Sequence, residues 1–119
     1  MAQYSVVNIL AYRNGKLYYS DNDETWNEIK PDTVTGYPKQ NEMVIWFAGP
    51  GIDKITDIHF EDLSDFDKVP TKKFGGRLWF GRIKPDAVIG DEPKYTISFE
   101  SNGKSIEPVD PVLKVTHES

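Results

Sequence analysis

Hydrophobic positions along this chain come in short runs bounded by turn residues, and no segment sustains a helical period. The first run, Tyr4 to Ala11, is rich in β-branched residues (Val6-Val7-Asn8-Ile9-Leu10) and stops at Arg13-Asn14-Gly15. Asn-Gly tolerates positive φ at both central turn positions, so the pattern predicts a hairpin with Lys16 to Ser20 as the return strand. Glu42 to Phe47 is apolar almost throughout, which predicts a strand covered on both faces. Ile55 to Phe60 follows, with Ile58 and Phe60 on one side and Asp57 and His59 on the other. Arg77 to Ile83 and Lys94 to Glu100 are the next strands, and in the second Tyr95, Ile97 and Phe99 alternate inward. Ser101-Asn102-Gly103-Lys104 repeats the Asn-Gly signal, and Val112 to Val115 reads as the closing strand. Between these lie polar stretches. Asp21 to Gln40 carries Pro31, Gly36 and Pro38, with Val34 placed to touch a neighbouring strand, and Glu61 to Gly76 reads as a loop with one helical turn over Asp62 to Asp67. The expected fold is all-β: a two-sheet antiparallel sandwich of about seven strands, immunoglobulin-like in plan, with a closed or partly open barrel as the alternative.

Composition narrows the function more than the fold. A chain of 119 residues corresponds to one domain over 1–119. Zero cysteines exclude a disulfide scaffold, a thiolate nucleophile, an iron–sulfur cluster and a thiolate metal centre, and two histidines leave little to bind a transition metal. No cofactor, no metal and no catalytic residue is therefore expected. A net charge of -5 opposes general affinity for nucleic acid or an anionic membrane. No apolar run approaches the roughly 18 to 20 residues of a membrane span. The opening residues Met1 to Ser5 carry no basic region followed by an apolar core, which points to the cytoplasm.

Three segments together resemble the cupredoxin-like sandwich: Ile29 to Val34, then Asn41 to Trp46, then Thr56-Asp57-Ile58-His59-Phe60-Glu61, continued in Lys94 to Phe99. In copper-bearing members the resemblance would place a ligand histidine near Thr56, and a cysteine, a second histidine and a methionine in the loop after the Tyr95 strand. Here that loop, Ser101 to Pro108, contains none of them. The resemblance thus implies the scaffold without the copper and without electron transfer. Asn41 to Trp46 and Asp110 to Val115 also resemble bacterial inclusion-body proteins of the PixA and AidA type.

Candidate sites are few. Ser20 to Trp26 is similar to the Asp-box turn of sialidase-type propellers, but it is one residue short, lacks the glycine and occurs once. It reads as a turn in which Asp side chains cap backbone N–H groups and Trp26 enters the core. Asp21 and Asp23, and separately Glu61, Asp62, Asp65 and Asp67, supply hard oxygen donors without the spacing of a calcium loop. His59 beside Asp57 and Glu61 has the makings of a base and its orienter, and a hydrolase built on it is the last-ranked reading. Lys68, Lys72, Lys73, Arg77, Arg82 and Lys84 interleave with Phe74, Trp79 and Phe80 as single-strand nucleic-acid tracks do. Trp79 and Phe80 must face opposite ways, however, so one belongs to the core. The primary reading is a non-catalytic module binding a protein partner or copies of itself, with edge-to-edge association of flat strands as one route. Lys72 and Lys73 with Asp65 and Asp67 would form a dipolar patch for that partner. The alternative is a carbohydrate- or small-ligand-binding module using Tyr18, Tyr19, Trp26 and Tyr37.

Overall fold

Asn14 and Gly15 both adopt positive φ (52° and 75°), and so do Asn102 and Gly103 (52° and 75°), which makes each pair a tight hairpin turn. The first joins β1 (Ser5–Arg13) to β2 (Lys16–Ser20), and the second joins β8 (Tyr95–Ser101) to β9 (Lys104–Val109). Five further strands complete the chain in a computed structural model that describes residues 5–116: β3 (Asn27–Glu28), β4 (Met43–Ala48), β5 (Lys54–Phe60), β6 (Phe66–Lys73) and β7 (Leu78–Ile83). They form a six-stranded sheet ordered β3-β2-β1-β4-β7-β6 and a three-stranded sheet ordered β5-β8-β9. The fold is an all-β two-sheet sandwich.

Four details differ from the sequence expectation. Among the described residues there are nine strands and not about seven. The segment expected to be a loop with a helical turn holds β6, and the expected loop from Ser101 to Pro108 is a turn followed by β9. Val112 to Val115 forms no strand; instead Val112 makes single bridges to Val34 and to Lys94, which is where Val34 meets its neighbour. Lastly, β1 and β4 run parallel, with Val7 beside Ile45 and Ile9 beside Phe47, so the large sheet is mixed.

Alternation along the strands fills the space between the sheets. Leu10, Leu17, Val44, Trp46, Trp79 and Ile83 from the large sheet meet Ile55, Ile58, Phe60, Tyr95, Ile97 and Phe99 from the small one. The Phe60 ring stacks on Tyr95 at 4.7 Å between centroids, and Trp46 packs edge-on against Tyr95 at 5.5 Å. Trp79 donates its indole N–H to the carbonyl of Ile55 at 2.9 Å, which ties β7 to β5 across the sandwich.

The rims of both sheets are poor templates for a further strand. The β3 rim is two residues long. The β6 rim departs from regular register twice and carries Pro70, while β5 and β9 each lose register once against β8, with Pro108 inside β9. Bulges, prolines and charges of this kind disfavour edge pairing, which weighs against the edge-to-edge route.

Candidate functional site

Residues paired across neighbouring strands point to the same side of a sheet. Applied to the large sheet, the pairing places Val7, Ile9 and Ala11 of β1, Met43, Ile45 and Phe47 of β4, and Leu78 and Phe80 of β7 on the side away from the core. Phe47 retains 39% of its surface exposed and most of the others are half-buried among themselves. The connecting segments attach elsewhere. Thr35 bonds Tyr95, Gly36 lies against Val6 and Leu113, Gln40 bonds the Ala87 carbonyl, and the 84–94 segment hydrogen-bonds to Asp65 and to residues 113–115. In the strand expected to be covered on both faces, Val44, Trp46 and Ala48 are buried on the core side, and on the other side Met43 and Ile45 are half-buried while Phe47 is exposed.

Two clusters border this apolar field. On the β2–β3 side the Arg13 guanidinium stacks on Tyr18 (5.6 Å) and Trp26 (5.4 Å). Trp26 therefore joins the outer face and does not enter the core. The turn before it is capped by Ser20 and Asn22, not by its aspartates: Ser20 Oγ accepts the N–H groups of Asn22 and Asp23, and Asn22 Oδ1 accepts those of Glu24 and Thr25. On the β6 side the ammonium groups of Lys68 and Lys73 lie 5.2 and 5.8 Å from the Phe80 ring centroid, with Arg82 opposite Lys68.

The four loop aromatics separate into two pairs. Tyr18 and Trp26 belong to the outer face, whereas Tyr19 and Tyr37 line a cleft of about 420 Å³ together with Asp21, Asn27 and Thr35. There Tyr19 donates its hydroxyl to the Val34 carbonyl at 3.1 Å, and Tyr37 is 58% exposed. Burial, then the nearby Tyr37 and Asp21, raise the Tyr19 pKa above the usual phenol value. This volume lies in the range that holds small ligands.

The four residues of the expected dipolar patch are not brought together. Lys73 borders the outer face, and Lys72, exposed, is paired with Trp79 on the other side of β6. Asp65 and Asp67 lie at the opposite end of that strand. Asp65 is only 5% exposed; its carboxylate accepts the Val88 N–H at 3.3 Å and its carbonyl accepts the Lys84 N–H at 2.9 Å. Burial, then the neighbouring Asp91, raise its pKa. Asp65 thus anchors the 84–88 turn and is not presented to a partner; Asp67 is exposed. A shallow depression of about 310 Å³ gathers Glu61, Asp62, Asp65, Asp91, Glu92 and Lys94. No group of three or more His, Asp or Glu among the described residues is arranged to hold a metal ion. His59 stands on the solvent side of β5, paired with Thr96, with neither a hydrogen-bond nor an ion-pair partner among the described residues. His117 lies outside the described residues. No helix among them is long and apolar enough to cross a membrane.

Comparison with protein-family models found no match, and comparison with curated proteins found none either. The arrangement of residues is what remains to define the site. Sequence reasoning missed its centre, although the odd-numbered apolar residues of β1 and β4 were its visible sign: a strand that needs only one buried face does not spend valine, isoleucine and phenylalanine on the other.

Proposed function

We propose that this protein acts by binding and not by catalysis, docking a protein surface on the outer face of its six-stranded sheet. The observation that supports this is the row of apolar residues on β1, β4 and β7 that points away from the core, in which Phe47 is exposed and Val7, Ile9, Met43, Ile45, Leu78 and Phe80 are half-buried. Contiguous apolar patches of this extent, rimmed by polar groups, mark interaction sites on soluble proteins. The Arg13–Tyr18–Trp26 stack supplies the residue types that dominate binding energy at interfaces. The resemblance to a metal-free cupredoxin-like scaffold fits a protein that offers a surface.

The test is native co-purification of the tagged chain with a differently tagged second copy present. Whatever associates stoichiometrically, copy or other protein, is expected to be lost in Phe47→Lys and in Ile9→Thr, and kept in Lys104→Glu on the β8–β9 turn. Circular dichroism confirms that each variant folds. Association that survives both face variants would refute the reading.

The Tyr19–Tyr37 cleft supports a second reading, a carbohydrate or similar small polar ligand held against the exposed Tyr37 ring with Asp21 and Asn27 as polar partners. Titration with a panel of sugars is then expected to change tyrosine and tryptophan fluorescence, with affinity reduced at least tenfold in Tyr37→Ala. A flat titration across the panel removes this reading.

A further inference from the structure

The Tyr19–Tyr37 cleft carries charge of one sign. Asp21 lines it, and no lysine, arginine or histidine is among the described residues around it. The cations nearest in sequence are engaged elsewhere. Arg13 stacks on Tyr18 and Trp26, and Tyr18 points to the opposite side of β2 from Tyr19. Lys16 lies 3.9 Å from Glu28. The turn that carries Asp21 is capped by Ser20 and Asn22, so the Asp21 carboxylate has no structural duty there, and it is exposed. Its field nonetheless reaches the cleft wall: after burial and Tyr37, Asp21 is what holds the Tyr19 phenol above its usual range.

The hydrogen-bonding capacity of the cleft is largely spent on the fold. Tyr19 donates its hydroxyl to the Val34 carbonyl at 3.1 Å, and Thr35 Oγ1 is shared with the Tyr95 hydroxyl at 2.6 Å. What is left is one carboxylate, the exposed Asn27, and two phenol rings set against Val6 and Val34. An uncharged polyol exchanges many water contacts on binding and needs as many partners in return. A methylated ammonium carries its charge beneath apolar groups, needs few hydrogen bonds, and is attracted both to aromatic rings and to a carboxylate. We propose that the cleft binds a small quaternary ammonium compound of the choline kind, held against Tyr37 and Tyr19 with Asp21 as its counter-charge. The inference rests on the reading of this cleft as a small-ligand site and adds the charge and chemical class of the ligand. The hydrogen bond of Tyr19 to Val34 fixes one wall in advance, which spares the cost of ordering that side chain on binding.

Isothermal titration of the purified full chain tests this with three probes: choline, its uncharged isostere in which carbon replaces the nitrogen, and glucose. Choline is expected to bind saturably, and the isostere at least about tenfold more weakly. Asp21→Asn and Tyr37→Ala should each lower the affinity for choline roughly three- to tenfold. Tyr37→Phe should stay within about twofold of the wild type, because the ring and not the hydroxyl meets the cation. Added salt should weaken choline binding in the wild type more than in Asp21→Asn. Both positions are exposed, and circular dichroism checks that each variant folds. Equal binding of choline and its isostere, or choline binding indifferent to both Asp21→Asn and Tyr37→Ala, would overturn the inference. So would a flat choline titration; glucose binding in that same protein would leave the small-ligand reading of the cleft standing without the charge.

Discussion

Replacing Asn8 by valine or leucine is expected to raise the stability of the fold by about 1 to 3 kcal/mol, the penalty of leaving a buried polar group unpaired. Asn8 sits in β1 beside Trp46 of β4, facing the core, with no exposed surface. Neither its amide oxygen nor its amide nitrogen has a hydrogen-bond partner among the described residues. The unfolded chain hydrates both atoms, so folding forfeits that hydration with nothing in exchange. Valine suits a strand and leucine nearly conserves the volume, so the pair separates the polar penalty from any cavity. Urea unfolding should show a higher midpoint with an unchanged slope, and the melting temperature should rise by about 4 to 8 °C per kcal/mol for a domain near this size. A loss of stability in both variants would mean that the amide is satisfied and useful.

Tyr95→Phe works in the opposite direction. The Tyr95 hydroxyl shares a hydrogen bond with Thr35 Oγ1 at 2.6 Å and accepts the indole N–H of Trp46 at 3.1 Å, all within the core. Removing one oxygen strands the Trp46 donor and takes from Thr35 its short partner, at a cost of about 2 to 3 kcal/mol. Burial pushes the phenol pKa up to about 12, against smaller opposite effects of the bonds to Thr35 and Trp46. The unfolded chain titrates near its ordinary value, so its contribution to stability is complete below about pH 10. It then falls by up to about 1.4 kcal/mol per pH unit and is gone once the pH has risen through the folded value. Tyr95→Phe should therefore lie well below wild type at pH 8 and converge on it as the pH approaches 12. Parallel stability curves over that range would show that the buried phenol does not control alkaline unfolding.

What was legible in the sequence follows from where each strand sits. β1, β2, β4, β5, β7 and β8 were recognisable because each carries an apolar run or an apolar alternation demanded by the core. The three strands that went unread, β3, β6 and β9, are all at sheet rims. Phe66 to Lys73 reads as polar loop because its outward positions are charged, Pro70 interrupts it and two bulges break its alternation. A rim strand answers to its single neighbour and to solvent, and solvent accepts almost any side chain. The outer face of the large sheet was half legible for a related reason. The run Met43 to Phe47 announced two covered faces, but one sequence cannot say whether the second cover is the chain itself or something else. Tyr18 was singled out as a loop aromatic, whereas the turn reading sent Trp26 into the core; their common partner, Arg13, was invisible because it lies five residues from one and thirteen from the other, joined only through the hairpin.

The irregular rims have a consequence for crowded conditions. Fibres of the cross-β kind grow by recruiting one open strand after another, and growth of that kind needs a straight edge with free amides. Here the two-residue β3, the double bulge and Pro70 of β6, the bulge between Ile55 and Asp57 of β5, and Pro108 of β9 shorten or break each rim. Raising the protein concentration should therefore not yield fibres of that kind.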